Sequence, residues 1–263
     1  MTRVGVVGDV HFAEDSRGLL RPHLEAAGDL DALLLAGDLT RRGRPEEARV
    51  LADELRGIPM PVVAILGNHD WHGDAADRVA DVMAGAGVTM LEGDTATLRL
   101  GGLDVGVAGV KGFGGGFAGA CATEFGEPEM KAFVASTRRS AEALRAALST
   151  LPRTAVRIAL LHYAPIEETL SGERPAIWPF LGSYLLAEAI DAQGADVVFH
   201  GHAHAGAPHG ITSAGIDVYN VAQPVIDRPF AVFDLVDEGA LRPAAQPADG
   251  SRQASVPPAR SSQ

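Results

Sequence analysis

The chain predicts an α/β fold whose first strands pair in parallel, and three observations carry that reading. Short apolar runs rich in Val, Leu and Ile alternate with segments of helical periodicity over most of the sequence. Each early run ends in Gly and has no polar face, as strands covered on both sides do. A polar cluster follows each of these runs at the same relative place, and in open α/β sheets the carboxyl ends of strands border the ligand crevice.

The elements follow in order. VGVVG (4 to 8), ALLLAG (32 to 37) and VVAILG (62 to 67) read as buried strands. Between them, PEEARVLADELRGI repeats Ala48, Leu51, Leu55 and Ile58 at three- and four-residue spacing behind Pro45, which suits a first helical turn. GDAADRVADVMAGAG does the same with Ala76, Val79, Ala80 and Met83. After Gly87 the texture changes: VTML and TATLRLGGLDVGVAGV predict consecutive strands with a hairpin at Gly101 and Gly102. A glycine-rich loop spans 111 to 129. The longest predicted helix follows, with Met130, Phe133, Val134, Thr137, Ala141, Leu144, Leu148 and Leu151 in one stripe. VRIALLHY is a further buried strand, and a helix around 183 to 192 leads to DVVFH. DVYNVAQP and FAVFDLV close the fold. Residues 1–240 are expected to form one domain. The Pro-, Ala-, Ser- and Gln-rich stretch 241–263 is expected to be a disordered tail, because it carries too little apolar surface to order itself.

Composition narrows the function. With 34 acidic against 22 basic residues the formal charge is −12, which argues against wrapping extended nucleic acid. A small phosphate site remains open, since a bound metal reverses the local potential. The single cysteine, Cys121, excludes an internal disulfide and points to a reducing compartment. MTRVGVVGDV lacks the charged and apolar regions of a signal peptide, and no apolar run reaches the roughly 20 residues of a membrane span. A cytoplasmic protein without membrane association is expected; nothing in the sequence fixes its oligomeric state.

The strand-end clusters carry the chemistry. GDVH supplies Asp9 and His11, GDL supplies Asp38, and GNHD supplies Asn68, His69 and Asp70. His162 ends a fourth strand, and GHAH adds His202 and His204. Any one of these is an ordinary turn or loop feature; five in order at strand ends are not. With His69 and Asp70 set aside, two carboxylates, one amide oxygen and four imidazoles are too many for one tetrahedral ion and right for two ions sharing a ligand. A nitrogen and oxygen set without thiolate suits Mn²⁺, Fe, Zn²⁺ or Co²⁺ over Ca²⁺ or Mg²⁺. A neutral Asn68 in place of a third carboxylate leaves such a centre positive and attractive to an anion.

The ordered set resembles the signature of the calcineurin-like metallophosphoesterase superfamily, D-x-H, GD, GNH[DE], H and GHxH, over residues 9 to 204. The resemblance implies a four-layer αββα sandwich of two mixed β-sheets flanked by helices, with two divalent ions, manganese favoured, at the sheet ends. It further implies one ion on Asp9, His11, Asp38 and His204, and the other on Asp38, Asn68, His162 and His202. His69 matches the family's histidine that contacts the phosphate and protonates the leaving group, and Asp70 is expected to orient it. His200 has no counterpart role and is expected in the core, while His72 and His209 are expected to be bystanders.

The substrate is less sharply marked. GDLTRRG departs from the GDxVDRG that protein Ser/Thr phosphatases resemble, and the short stretch after the last predicted strand is not expected to form the capping domain of a double-strand-break nuclease. Arg41, Arg42 and Arg44 read either as a solvated loop or as phosphate contacts. Eight of 14 aromatic residues fall between 112 and 184. Those of the two flanking loops, among them Phe113, Phe117, Phe125, Tyr163, Trp178, Phe180 and Tyr184, either pack those loops or grip a substrate. The expected activity is di-metal phosphohydrolysis of a small phosphorylated substrate, phosphodiesters favoured, with a hydroxide between the ions attacking phosphorus in line. A phosphomonoesterase or a pyrophosphatase acting on nucleotide conjugates is the nearest alternative, a nuclease ranks behind it, and a non-catalytic metal-binding scaffold comes last.

Overall fold

A computed structural model describes residues 2–153, 155–235 and 241–244. The chain runs β1 (Thr2–Val7), α1 (Arg21–Ala27), β2 (Ala32–Ala36), α2 (Pro45–Leu55), β3 (Val62–Ile65), α3 (Ala76–Ala84) and β4 (Val88–Leu91). It continues through β5 (Asp94–Leu100), β6 (Leu103–Val110), β7 (Gly116–Phe117), β8 (Ala120–Cys121), α4 (Pro128–Thr150), β9 (Val156–Leu161), α5 (Trp178–Leu181) and α6 (Tyr184–Gln193). It closes with β10 (Val197–His200), β11 (His209–Ile211), β12 (Asp217–Asn220), α7 (Gln223–Ile226), β13 (Ala231–Leu235) and β14 (Leu241–Pro243).

Two six-stranded mixed sheets result, in the orders β14-β13-β1-β2-β3-β4 and β11-β12-β10-β9-β6-β5. As expected, β1, β2 and β3 pair in parallel, and β5 and β6 form a hairpin across Gly101 and Gly102; β4 joins the parallel run beside β3 as well. In the second sheet β6, β9, β10 and β12 are parallel. The parallel strands of both sheets therefore present carboxyl ends from which the site loops depart.

Alternation along each strand explains the layers. On β2, Leu33 and Leu35 point into a core shared with Leu24 of α1, Leu51 of α2 and Val79 of α3. Leu34 and Ala36 point the other way, toward Ile158 and Leu160 of β9 and Phe199 of β10. Ala159 and Leu161 then face a third core with Leu144 and Leu148 of α4 and Ile190 of α6. Helices, sheet, sheet, helices: this is the four-layer sandwich. The α4 stripe buries Val134, Thr137, Ala141, Leu144 and Leu148, while its outer end is open, with Met130 exposed.

One boundary moves. The expected tail begins with an ordered strand, since Leu241–Pro243 pairs antiparallel with Phe233–Leu235 and extends the first sheet past residue 240. Backbone pairing at a sheet edge needs no apolar periodicity, so composition gave no warning. Residues 245–263 lie outside the described residues.

Phe199 is fully buried between the sheets, with its ring 4.7 Å from that of Phe233. Phe199→Ala should cost about 3–5 kcal/mol of stability in urea unfolding, from lost transfer energy and the cavity left between two rigid sheets. A cost below about 1 kcal/mol would show that the sheets close over the gap.

Candidate metal centre

Each strand end hands its loop a fixed partner. The Asp9 N–H donates to the Gly37 carbonyl at 3.0 Å and the His11 N–H to the Asp38 carbonyl at 3.0 Å, so the loops after β1 and β2 run side by side. The loop after β1 is tied to the second sheet by the Gly8 N–H donating to the Val221 carbonyl at 2.9 Å. The His202 N–H donates to Asp9 Oδ2 at 2.9 Å, and the His69 N–H to Asp38 Oδ1 at 2.7 Å. Residues nearly 200 apart in sequence thereby meet.

Three acid–imidazole groups form there, with ligand atoms within 4.8 Å of one another: Asp9, His11 and His204; His11, Asp38 and His69; Asp38, His162 and His202. Asn68 joins them through Oδ1, which lies 2.8 Å from His162 Nε2. All seven positions expected as metal ligands, and His69, thus occupy one locus spanning both sheets.

The tautomers are set from behind. His162 Nδ1 donates to the Ala36 carbonyl at 2.9 Å, which leaves the lone pair of the neutral ring on Nε2. That lone pair faces two oxygens, Asn68 Oδ1 at 2.8 Å and Asp38 Oδ1 at 3.3 Å. Acceptors facing one another are relieved by a cation among them. His202 Nε2 donates to the Phe180 carbonyl at 3.2 Å, leaving Nδ1 for the centre. His11 Nδ1 is buried with no hydrogen-bond partner among the described residues, while its Nε2 lies 3.7 Å from Asp38 Oδ2 and 3.9 Å from Asp9 Oδ1. The donor set therefore fits divalent cations, which are held by deprotonated imidazoles and carboxylates backed by such partners.

The electrostatics agree. Burial works to raise the Asp9 carboxyl, yet the hydrogen bond from His204 and the surrounding imidazoles hold it well below the usual carboxylate range. Burial pushes His202 down to about 3, so it stays neutral and free to ligate near neutral pH. His204 rises because its ring donates to Asp9 at 2.8 Å.

The glycines of the motifs, which sequence reasoning treated only as turn residues, are steric requirements. A Cβ on Gly67 would sit 2.1 Å from Asp38 Oδ1, and one on Gly201 2.2 Å from Asp9 Oδ2. Both carboxylates lie in the space a side chain would occupy.

Asp70 does not do what was expected of it. Its carboxylate is fully buried and accepts from the N–H groups of Leu39 (3.1 Å), Thr40 (2.8 Å) and Gly67 (2.8 Å) and from the Thr40 hydroxyl (2.5 Å). His69 is oriented instead by Nδ1 donating to the Arg41 carbonyl at 2.8 Å. The short loop turns Asp70 inward, away from the imidazole, where it fastens the β2 and β3 loops together. Burial raises its carboxyl to about 6, the hydrogen bonds opposing. Arg41 contributes that carbonyl, while its guanidinium reaches Asp15 at 3.7 Å. Arg44 caps α2, and the Arg42 N–H bonds Glu47 at 2.8 Å.

The other histidines divide. His200 is buried between the Gly201 carbonyl and the Thr169 hydroxyl, both at 2.8 Å, as a core residue. His209 pairs with Asp217 at 2.8 Å and stacks on Tyr219, away from the centre. His72, expected to be a bystander, packs on His69 with ring centroids 4.5 Å apart. Its i, i+3 spacing from His69 was the available signal. The flanking aromatics mostly pack on one another, Phe113 against Phe133 and Tyr163, and Phe133 against Phe180. Phe125 is 90% exposed and belongs to no such cluster.

Comparison with known proteins fits this picture. The profile of the calcineurin-like phosphoesterases matches residues 2–206. No curated protein sequence matches the chain. Among solved structures, a phosphopantetheinyl hydrolase from Mycobacterium tuberculosis is similar at 15% identity, with a TM-score of 0.63 over 84% of this chain and 89% of that one. A Thermus thermophilus protein is similar at 18% identity and a TM-score of 0.56, over 92% and 98%. A Staphylococcus aureus protein described as a candidate 5'-nucleotidase reaches 16% identity and a TM-score of 0.56, over 93% of this chain and 53% of its own. At these identities the likeness is one of fold. The profile spans every strand-end cluster, and the sandwich beneath them is the one such loops require: the chain belongs to the calcineurin-like phosphoesterase family and is a metal-dependent hydrolase of phosphate esters.

Proposed function

We propose that the chain hydrolyses small phosphate esters, phosphodiesters in preference, at a dinuclear centre. The observation that carries this reading is the set of three acid–imidazole groups, sharing His11 and Asp38, in each of which the ligand atoms lie within 4.8 Å of one another. Asp9, His11, Asp38 and His204 would hold one ion, and Asp38, Asn68, His162 and His202 the other. Mn²⁺ is favoured for this mixed oxygen and imidazole set. When bound, the ions supply Lewis acidity and neutralise charge on the phosphoryl oxygens.

The chain's own residues do the rest. Only Asp9 and Asp38 among the seven positions are anionic, so a loaded centre keeps a positive charge that attracts the ester. His69, anchored through Nδ1, presents Nε2 at the rim and in its protonated form donates to the departing oxygen. The rim is open, with the side chains of His11, His69 and His204 exposed by 22%, 34% and 42%. An open rim leaves room for two ester arms on phosphorus, which supports the diester. A phosphopantetheinyl hydrolase and a candidate 5'-nucleotidase among the fold neighbours support phosphoryl chemistry in general. The lone cysteine, Cys121, supports a reducing, cytoplasmic setting. No helix among the described residues is long and apolar enough to cross a membrane.

Two experiments test the reading. Gly201→Ala forces a methyl group against Asp9 and should lower Mn²⁺ affinity about 10–100-fold with the fold retained, as calorimetry and circular dichroism would show. Metal binding equal to wild type would remove Asp9 from the centre. In the Mn²⁺-loaded chain, bis-p-nitrophenyl phosphate should turn over faster than p-nitrophenyl phosphate, and Asn68→Ala should lose about 10²-fold or more on both. His69→Ala should lose about 10²–10⁴-fold on an alkyl ester and less on the p-nitrophenyl esters, whose leaving group needs little protonation. Faster monoester turnover would overturn the diester preference, and turnover untouched by Asn68→Ala would overturn the site.

A further inference from the structure

We propose that Lys111 binds a second phosphoryl group of the substrate, so that the preferred ester carries a phosphate beyond the one that is hydrolysed. The proposal deepens the phosphoesterase reading and rests on it. Lys111 is fixed to the centre by its backbone: its carbonyl accepts from the N–H groups of His162 and Tyr163, both at 3.1 Å. Its side chain runs into a triangle of rings, with Nζ 5.3 Å from the centroids of Phe113 and Tyr163 and 5.8 Å from that of Trp71. Tyr163 packs on His202 at 4.4 Å, and Trp71 stands two residues after His69. One ring therefore separates the ammonium from the metal-ligand imidazoles.

Lys111 is partly buried, and a lysine so placed for structure alone is expected to meet a carboxylate. This one does not. The nearby Glu92 spends Oε2 on the Lys111 backbone N–H at 3.2 Å, and no carboxylate lies within ion-pair distance of Nζ among the described residues. Among the described residues Nζ makes one hydrogen bond, to the Gly112 carbonyl at 3.3 Å. An ammonium has three donors, so two remain. Lys111 lines a cavity of about 490 Å³ together with Trp71, Glu92, Phe113, Ser136 and Arg139. Arg139 adds a second cation, and Trp71, half exposed, adds a ring face. A cation held off the centre by aromatic faces, with free donors and a cavity in front, suits a compact anion joined to the scissile ester.

The test uses the full chain with Mn²⁺ saturating, in a His69→Ala background that slows turnover, and titrates ADP and AMP by calorimetry. The two probes share adenosine and differ by one phosphoryl group. With Lys111 present, ADP should bind about tenfold or more tighter than AMP, the size of one charge-assisted hydrogen bond. Lys111→Met should erase that difference and Lys111→Arg should retain part of it. Equal loss for both probes in Lys111→Met, or no preference for ADP in the parent, would overturn the proposal. Should Lys111→Met fail to fold, Lys111→Gln takes its place under the same criteria. Turnover of p-nitrophenyl esters by the unmutated chain reports separately: turnover without ADP preference sinks only the Lys111 site, and ADP preference without turnover sinks only the phosphoesterase reading.

Discussion

Two carboxylates without access to water, Asp9 and Asp38, set the conditions that the rest of the molecule satisfies. They are 2% and 1% exposed, and a charge so buried is stable only with hydrogen bonds and opposite charge around it. Each takes a backbone N–H from a loop on another strand and faces imidazoles from the second sheet. Of the six non-glycine residues with left-handed backbone among the described residues, four are Asp9, His11, Asp38 and His202. Each such conformation costs of order 1–3 kcal/mol and persists only where its surroundings over-determine it. Here the surroundings are the sheet ends, whose registers bring the loops together whatever the loop residues prefer.

This ordering of causes makes Asp70 intelligible. A loop that carries a strained Asp38 needs something behind it, and the Asp70 carboxylate gathers four donors from the β2 and β3 loops at a point no solvent reaches. It acts on the centre through the backbone of Leu39 and Thr40, one and two residues beyond Asp38. A carboxylate suits this place because it accepts from several directions at once, which a side-chain amide cannot do with one oxygen. His69 is thereby left to an uncharged partner, the Arg41 carbonyl, which fixes its tautomer without balancing a positive ring.

What the sequence made legible follows from the same physics. Glycine-ended apolar runs are buried parallel strands because both faces of each are covered, and the alternation of Leu33, Leu34 and Leu35 between two cores shows why no polar face appears. The site residues were readable because their chemistry admits few substitutes. Less visible were α1, which buries a single leucine, Leu24, and β14, which is held by backbone alone. The inward turn of Asp70, the packing of His72 on His69 and the aromatic setting of Lys111 depend on side-chain direction, which residue order does not encode. Tyr163 and Lys111 adjoin only because β6 and β9 are neighbours.

The charge of the chain and the charge proposed for its loaded centre have opposite signs, and the difference in their range matters. A formal −12 spread over the surface repels a long polyanion that must lie along the protein, although screening limits the effect to about 8–10 Å at ordinary ionic strength. Loaded as proposed, the centre would be positive within that distance of the sheet ends and would reverse the local sign. A small phosphate ester can sit wholly inside the reversed region.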